Sequence, residues 1–396
     1  MNLNLLDKNN NISILIAGII SVIIALGVSR FVFTSLLPPM LDDFLTITYA
    51  GILASVNFAG YLSGSILSMF IKDINQKVIL FRLGIVLCVI TTFLLGITTN
   101  ETIWLVARLV AGFGAALTFV VGSAIVMTKL NFDNKTKAMG IHFSGIGFSI
   151  LVTDLISRAV LSNGGDWKDS WIILAIFAIV ASIYAIYILS FDKEVKQTAV
   201  KHKFDKAIFS PFVILIILAY FTEGIGFVVQ ATFLPDIINT IKGLEGYGSL
   251  TWTFVGLAGI PSCIIWMTLA SKFGSVNVIM ITLALQMIGI LIPTFTNDIY
   301  FNLFSGILYG GTFVGLVGMF MNLGGKLAGK NPVILMGAVT TSYGIGQVVA
   351  PLYSIYLVEK FHNYNYALYL TAFIVFIGIL LLLFSKTIMT QEQKVL

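Results

Sequence analysis

Leu26-Gly27-Val28-Ser29-Arg30-Phe31-Val32-Phe33-Thr34-Ser35-Leu36-Leu37-Pro38 decides how this chain is read. It sets an arginine inside an apolar run that starts near Ile12 and is long enough to cross a bilayer. A guanidinium there is costly and marks a functional position. The phrase returns as Glu223-Gly224-Ile225-Gly226-Phe227-Val228-Val229-Gln230-Ala231-Thr232-Phe233-Leu234-Pro235, position for position at an offset of 197 (223 − 26), almost half of the 396 residues. Two copies of one helix, each with a glycine near its middle and a proline at its outer end, imply a duplicated membrane protein with its site between the halves.

Composition agrees with that reading. Hydrophobic residues make up 58% of the chain and charged residues 10%, whereas about a quarter of a soluble protein is charged. Apolar runs recur at about 12–38, 48–71, 78–98, 101–127, 136–161, 169–190, 209–235, 248–270, 276–295, 299–325, 332–358 and 365–385. The expected fold is therefore an all-α membrane protein of twelve transmembrane helices in two pseudo-symmetric six-helix bundles. Residues 1–191 would form the first bundle, 192–208 a cytoplasmic linker, and 209–396 the second. The first run is too long for a signal-peptide core and lacks a cleavage pattern, so it is expected to stay in the mature protein. Cys88 and Cys263 fall within spans and read as small buried apolar residues. No cofactor or metal is expected.

Basic residues resist translocation and collect on the cytoplasmic side. One set of loops holds only Lys168, Lys242 and Lys360, while the opposite set holds all other loop lysines and Arg82. Both termini are therefore expected inside, and a composition rich in Ile, Asn and Lys hints at an AT-rich bacterial genome and hence a bacterial inner membrane. Lys193, Lys196, Lys201, Lys203 and Lys206 of the linker would either form a solvated charged loop with no specific partner or lie against anionic lipid headgroups. The net charge of +5 so distributed speaks for membrane lipid and against nucleic acid. A monomer is expected. Trp167 and Trp171 suit the outer membrane interface, where amphipathic rings sit at headgroup level.

The halves echo each other beyond the opening phrase. Ala258-Gly259 matches Ala59-Gly60, Gly310 matches Gly112, and Gly344-Ile345-Gly346 matches Gly145-Ile146-Gly147, all within two residues of one offset. Six crossings per half give the copies the same orientation, related by an axis along the membrane normal.

This architecture resembles the major facilitator superfamily over essentially the whole chain. Arg108-x-x-x-Gly112-x-Gly114-Ala115-Ala116 looks like the fourth-helix motif whose arginine is associated with proton coupling. Ser271-Lys272-Phe273-Gly274 resembles the core of the superfamily's gating loop, and Asp73 with Lys77 is what survives of that loop after the second span. There Met69, Ile74 and Gln76 stand where Gly, Arg and Gly are usual, which weakens a loop-latch mechanism for the first half. The fifth span lacks the Gly-Pro ending typical of the superfamily's drug antiporters. Gly27-Val28-Ser29-Arg30-Phe31, Gly140-Ile141-His142-Phe143-Ser144-Gly145 and Ala231-Thr232-Phe233-Leu234-Pro235 look like signatures of the YbfB/YjiJ-like bacterial subgroup. The resemblance implies that spans 1, 4, 7 and 10 line a central cavity, with Arg30, Arg108 and Glu223 on its wall.

The helical rise of about 1.5 Å per residue sets Arg30 roughly 12 Å below Pro38, Arg108 roughly 10 Å inside Glu101, Asp154 roughly 13 Å inside Asn163 and Glu223 roughly 18 Å inside Pro235. Two cations and two anions at such depths can pair, which lowers the cost of burying each. Asp154 then either takes part in proton coupling or neutralises Arg108 or Arg30. Arg158 would snorkel to headgroups, and His142 either relays protons or packs. Tyr61, Trp252, Tyr309, Asn322, Tyr343 and Gln347 are further cavity candidates.

The leading expectation is a secondary transporter that rocks its two halves around a midplane site. Arg30 and Arg108 would bind a small organic anion, since a guanidinium fork suits carboxylate and phosphate. Glu223, with Asp154 and Arg108, would couple it to protons. The alternatives are proton-coupled efflux of cationic or lipophilic compounds drawn by Glu223 and Asp154, and a membrane sensor or scaffold that transports nothing. No His-Glu-x-x-His, metal-spaced Cys/His cluster or P-loop is present, so an enzyme is not expected.

Overall fold

The structure is a computed structural model, and it describes residues 4–71, 73–131, 135–191, 210–328 and 332–389. The expected linker, 192–208, lies outside the described residues. The segments are α1 Asn11–Leu41, α2 Ile47–Phe70, α3 Ile74–Ile97, α4 Glu101–Lys129, α5 Ala138–Ser162, α6 Trp167–Ile188, α7 Pro211–Asn239, α8 Gly248–Phe273, α9 Ser275–Thr294, α10 Ile299–Leu327, α11 Pro332–Phe361 and α12 Asn365–Thr387. Eleven are long and apolar enough to cross a membrane among the described residues, and α11 is 30 residues long. The protein is an all-α, multi-pass membrane protein of two six-helix bundles.

Local sequence explains where several helices begin. Asp73 caps α3 by accepting from the Asn75 and Gln76 backbone N–H groups at 2.9 Å. Asn100 caps α4 through the Ile103 N–H at 3.1 Å. Asp166 and Asp169 form a reciprocal capping box on α6. Each cap gives a partner to a backbone donor that the first helical turn leaves free. Contrary to expectation, Pro38-Pro39 does not end the first helix, which runs on to Leu41, with the Pro38 carbonyl oxygen accepting from Asp42 N–H at 3.1 Å.

The chain divides into two compact units, Met1–Phe44 with Val56–Val200, and Leu45–Ser55 with Lys201–Leu396. In the first, α1 packs on α5, and α3 on α4 and α6. In the second, α8 packs on α10, α7 on α11 and α12, and α9 on α10 and α12. Leu45–Ser55, the start of α2, joins the second unit through a hydrogen bond from Thr48 Oγ1 to the Glu359 carboxylate and another from Ser55 Oγ to the Val348 carbonyl oxygen at 2.7 Å.

The repeated glycines do the same work in each unit. A side chain on Gly27 would press on the Ser149 carbonyl oxygen of α5, and one on Gly224 on the Tyr343 carbonyl oxygen of α11. Gly112 likewise lies against the Asn57 backbone and Gly310 against that of Val255. Such backbone-to-backbone contact is how membrane helices associate where apolar burial gives no advantage over lipid. Outward faces remain apolar: Ile79, Val180, Ile183, Phe373 and Phe384 are exposed, as lipid requires.

Trp167 and Trp171 depart from expectation by being buried inside the first unit. Trp171 stands edge-on to Trp104 with centroids 6.1 Å apart, and Trp167 stacks on Phe44 at 4.8 Å. The Trp167 indole N–H donates to Asp43 at 2.9 Å, so its polar edge is satisfied by protein and its rings by other rings.

Candidate functional site

The first unit's charged site grows from an irregular turn. Residues Ile23–Phe31 of α1 are π-helical, a wide winding that recurs at functional positions. Ser29 Oγ donates back to the carbonyl oxygens of Ile24 and Ala25 at 3.1 and 2.8 Å, bracing that winding. The Ser29 carbonyl oxygen accepts from Arg108 Nη1 at 3.1 Å. A second π-helical stretch, Leu117–Val121, interrupts α4 below Arg108.

Arg30 is 7% exposed and Arg108 2% exposed. The Arg30 guanidinium lies over the Phe58 and Tyr61 rings at 4.6 and 4.3 Å, and that of Arg108 over Phe33 at 4.4 Å. Ring faces soften the burial of a cation. Asn57 Nδ2 donates to the Arg108 carbonyl oxygen at 2.9 Å, fixing α4 against α2 at that level. The two guanidinium groups are close enough to repel each other, and Arg108 Nε has no hydrogen-bond partner among the described residues. Arg108 thus meets a carbonyl oxygen, an aromatic ring and a second cation. Asp154, fully buried on α5, accepts from Ser35 Oγ of α1 at 3.1 Å.

In the second unit the phrase is repeated without its cation. Phe227 occupies the position that corresponds to Arg30, 30 + 197. It packs against Phe313 with centroids 5.0 Å apart, and its carbonyl oxygen accepts from the Tyr309 hydroxyl at 2.6 Å. Tyr220 stacks on Tyr343 at 4.4 Å. Glu223, one turn before Phe227, is fully buried. Gln286 Nε2 of α9 donates to Glu223 Oε1 at 3.2 Å, while Glu223 Oε2 has no hydrogen-bond partner among the described residues. Gln230 Nε2 and Ser305 Oγ both donate to the Gly289 carbonyl oxygen, at 3.3 and 2.6 Å.

The remaining candidates are scattered. Trp252 is fully buried in α8, Gln347 is buried in α11 and Asn322 is half-buried in α10. Asp73 serves as a helix cap, with the half-buried Lys77 one turn on. Lys272 is exposed, and Gly274 ends α8 in a left-handed conformation, φ 85°, that favours glycine. His142 is fully buried, its Nε2 paired with Ser123 Oγ at 2.8 Å, and Arg158 is half-buried. Sequence reading gave no site role to Ser29, Ser35, Phe33, Phe58 or Gln286. Hydroxyls, rings and amides do not stand out from an apolar run as charges do.

Two relatives are similar to the chain. The "Multidrug efflux pump SdrM" of Staphylococcus aureus (strain N315) is 27% identical over 202 residues, 48% of this chain and 43% of the relative. The "Uncharacterized MFS-type transporter YtbD" of Bacillus subtilis (strain 168) is 24% identical over 246 residues, 60% of each. The chain thus spans about half the length of the curated relatives it matches. A family profile described as "Uncharacterised MFS-type transporter YbfB" matches residues 22–383, from the π-helical turn of α1 nearly to the end of α12. The chain belongs to that family of MFS-type transporters.

Proposed function

We propose that the protein is a secondary transporter of a small organic anion, coupled to protons and working by alternating access in a bacterial cytoplasmic membrane. The observation that carries the anionic preference is the Arg30 and Arg108 pair, buried together with aromatic rings and a backbone carbonyl oxygen as the contacts of Arg108. Burying the Arg108 guanidinium beside a second cation costs several kcal/mol, and a bound carboxylate or phosphate offsets that cost. Glu223 is the proposed proton carrier, since it is a buried carboxyl group whose one hydrogen-bond partner among the described residues is a neutral amide. The loop lysines on one face orient both ends toward the cytoplasm.

Thermal stabilisation of the purified protein tests the anionic reading. A panel of mono- and dicarboxylates and organic phosphates should contain compounds that raise the melting temperature of the wild type and not of Arg108→Met. Saturation at 100 times the dissociation constant stabilises by about 2.7 kcal/mol, a shift of a few degrees. The second reading, efflux of cationic or lipophilic compounds, draws on the name of the staphylococcal relative and on the aromatic band of Phe227, Phe313 and Tyr343. It predicts that tetraphenylphosphonium stabilises the protein and that the anions do not.

A further inference from the structure

Two oxygens face the same point beside α7 and neither has a donor. Glu223 Oε2 and Gln286 Oε1 are both buried and both without a hydrogen-bond partner among the described residues. A Cβ built on Gly226 would lie 3.7 Å from the first and 3.9 Å from the second, so the missing side chain of Gly226 leaves the room they share. The same Cβ would come 2.5 Å from Val375 Cγ2 of α12, which places an apolar wall against that space. On the other side, Gln286 Nε2 already donates to Glu223 Oε1.

Two acceptor oxygens bordering one small space repel, and leaving buried acceptors unpaired costs about 1 to 3 kcal/mol each. A proton on Glu223 Oε2 removes both faults at once. The acid O–H donates to the amide oxygen while the amide N–H donates to the acid carbonyl, closing a ring in which each group is donor and acceptor.

We propose that Glu223 and Gln286 form a proton-holding acid–amide pair, with Gln286 the positioning residue that presents one donor and one acceptor to the carboxyl group. This rests on the reading of Glu223 as the proton carrier. Loading adds a proton from water to Oε2 and closes the ring. Unloading returns it to water and leaves the Gln286 oxygen facing a carboxylate, so the ionised state pushes α7 and α9 apart at this level.

The surroundings support a local device. The helix α7 packs against α8, α9, α10, α11 and α12. The ionisable side chains that α10 and α11 bring to this band are the phenols of Tyr309 and Tyr343, and the Tyr309 hydroxyl is committed to the Phe227 carbonyl oxygen. Among the described residues no charged group of any of these helices acts on Glu223, leaving Gln286 as its polar neighbour.

Infrared difference spectroscopy of the full-length purified protein reads the pair directly. The wild type should show a carboxylic-acid carbonyl band that is lost in Glu223→Gln and lies at the low frequency of an acid hydrogen-bonded on both oxygens. In Gln286→Met, of similar length and apolar, that band should move to the frequency of a free acid. Should this variant not fold, the wild-type band still decides, because a free-acid frequency overturns the pair. So does a band indifferent to Gln286→Met. Sodium chloride that raises the melting temperature only when Glu223 is intact, against choline chloride at the same strength, would assign the two oxygens to a metal cation and also overturn it. Loss of pH-driven transport in Glu223→Gln with a free-acid band in the wild type rejects the pair and keeps the proton carrier; unchanged transport rejects the carrier itself.

Discussion

Arg108 Nη1 donates to the carbonyl oxygen of Ser29, the residue that precedes Arg30, at 3.1 Å. One arginine therefore holds the backbone from which the other projects, and the two cations are set by a single turn of α1. That turn is π-helical, and the Ser29 hydroxyl turns back to brace it. Geometry and charge are coupled at one position.

Replacing Arg108 with Lys keeps the charge and shortens the donor fork. The Ser29 contact and the planar seat over Phe33 should both be lost. Anion-induced stabilisation should then require at least tenfold more ligand, equivalent to about 1.4 kcal/mol, measured by melting-temperature titration. Equal titration curves for Arg108→Lys and wild type would show that charge alone suffices.

Helix contacts made through glycine should be intolerant. A Cβ on Gly112 would strike the Asn57 carbonyl oxygen, and one on Gly60 that of Leu109. Gly112→Ala should lower stability by about 1 to 3 kcal/mol or more, the cost of overpacking. Gly325 in α10 has open space around its missing Cβ. There Ala should be neutral or stabilise by up to about 1 kcal/mol, through helix propensity. Paired melting curves check both.

Asp73 separates a latch from a cap. Asp73→Asn keeps an oxygen for the Asn75 and Gln76 N–H groups and should leave stability unchanged, whereas Asp73→Ala should cost about 1 kcal/mol. If the carboxylate charge also gates, transport should fall in Asp73→Asn while its melting temperature holds.

At the start of α12, the Tyr364 hydroxyl donates to Asp236 Oδ2 at 2.5 Å. Burial, and then the neighbouring carboxylate, hold the phenol protonated well above its ordinary range. In the unfolded chain it ionises near about 10. A raised folded value gives stability that is whole below that pH and falls as pH rises above it. Tyr364→Phe should be less stable at neutral pH and lose less on going from pH 9 to about 11, followed by thermal melts.

The duplicated architecture was legible because length and apolarity fix a spanning helix, and because Gly27 and Gly224 recur with Pro38 and Pro235 in one register. Arg30, Arg108 and Glu223 were legible as charges within apolar runs. Their partners were not. Gln286 lies 63 residues from Glu223 and carries no sign of its own in α9. Ser35 reaches Asp154 across 119 residues. The π-helical turn leaves the apolar pattern of α1 unbroken, so nothing in the order of residues announces it. Trp167 looked like an interfacial anchor because an indole suits headgroups, and Asp43 offered its N–H a partner within the protein.

The claim on which the account turns is that Glu223 carries the coupled proton. Proteoliposomes with an imposed pH gradient, supplied with whichever carboxylate or phosphate stabilises the wild type most, test it directly. The account predicts that wild type concentrates the anion and that Glu223→Gln does not, while both exchange labelled for unlabelled anion at zero gradient. Equal gradient-driven accumulation by the two proteins would contradict it.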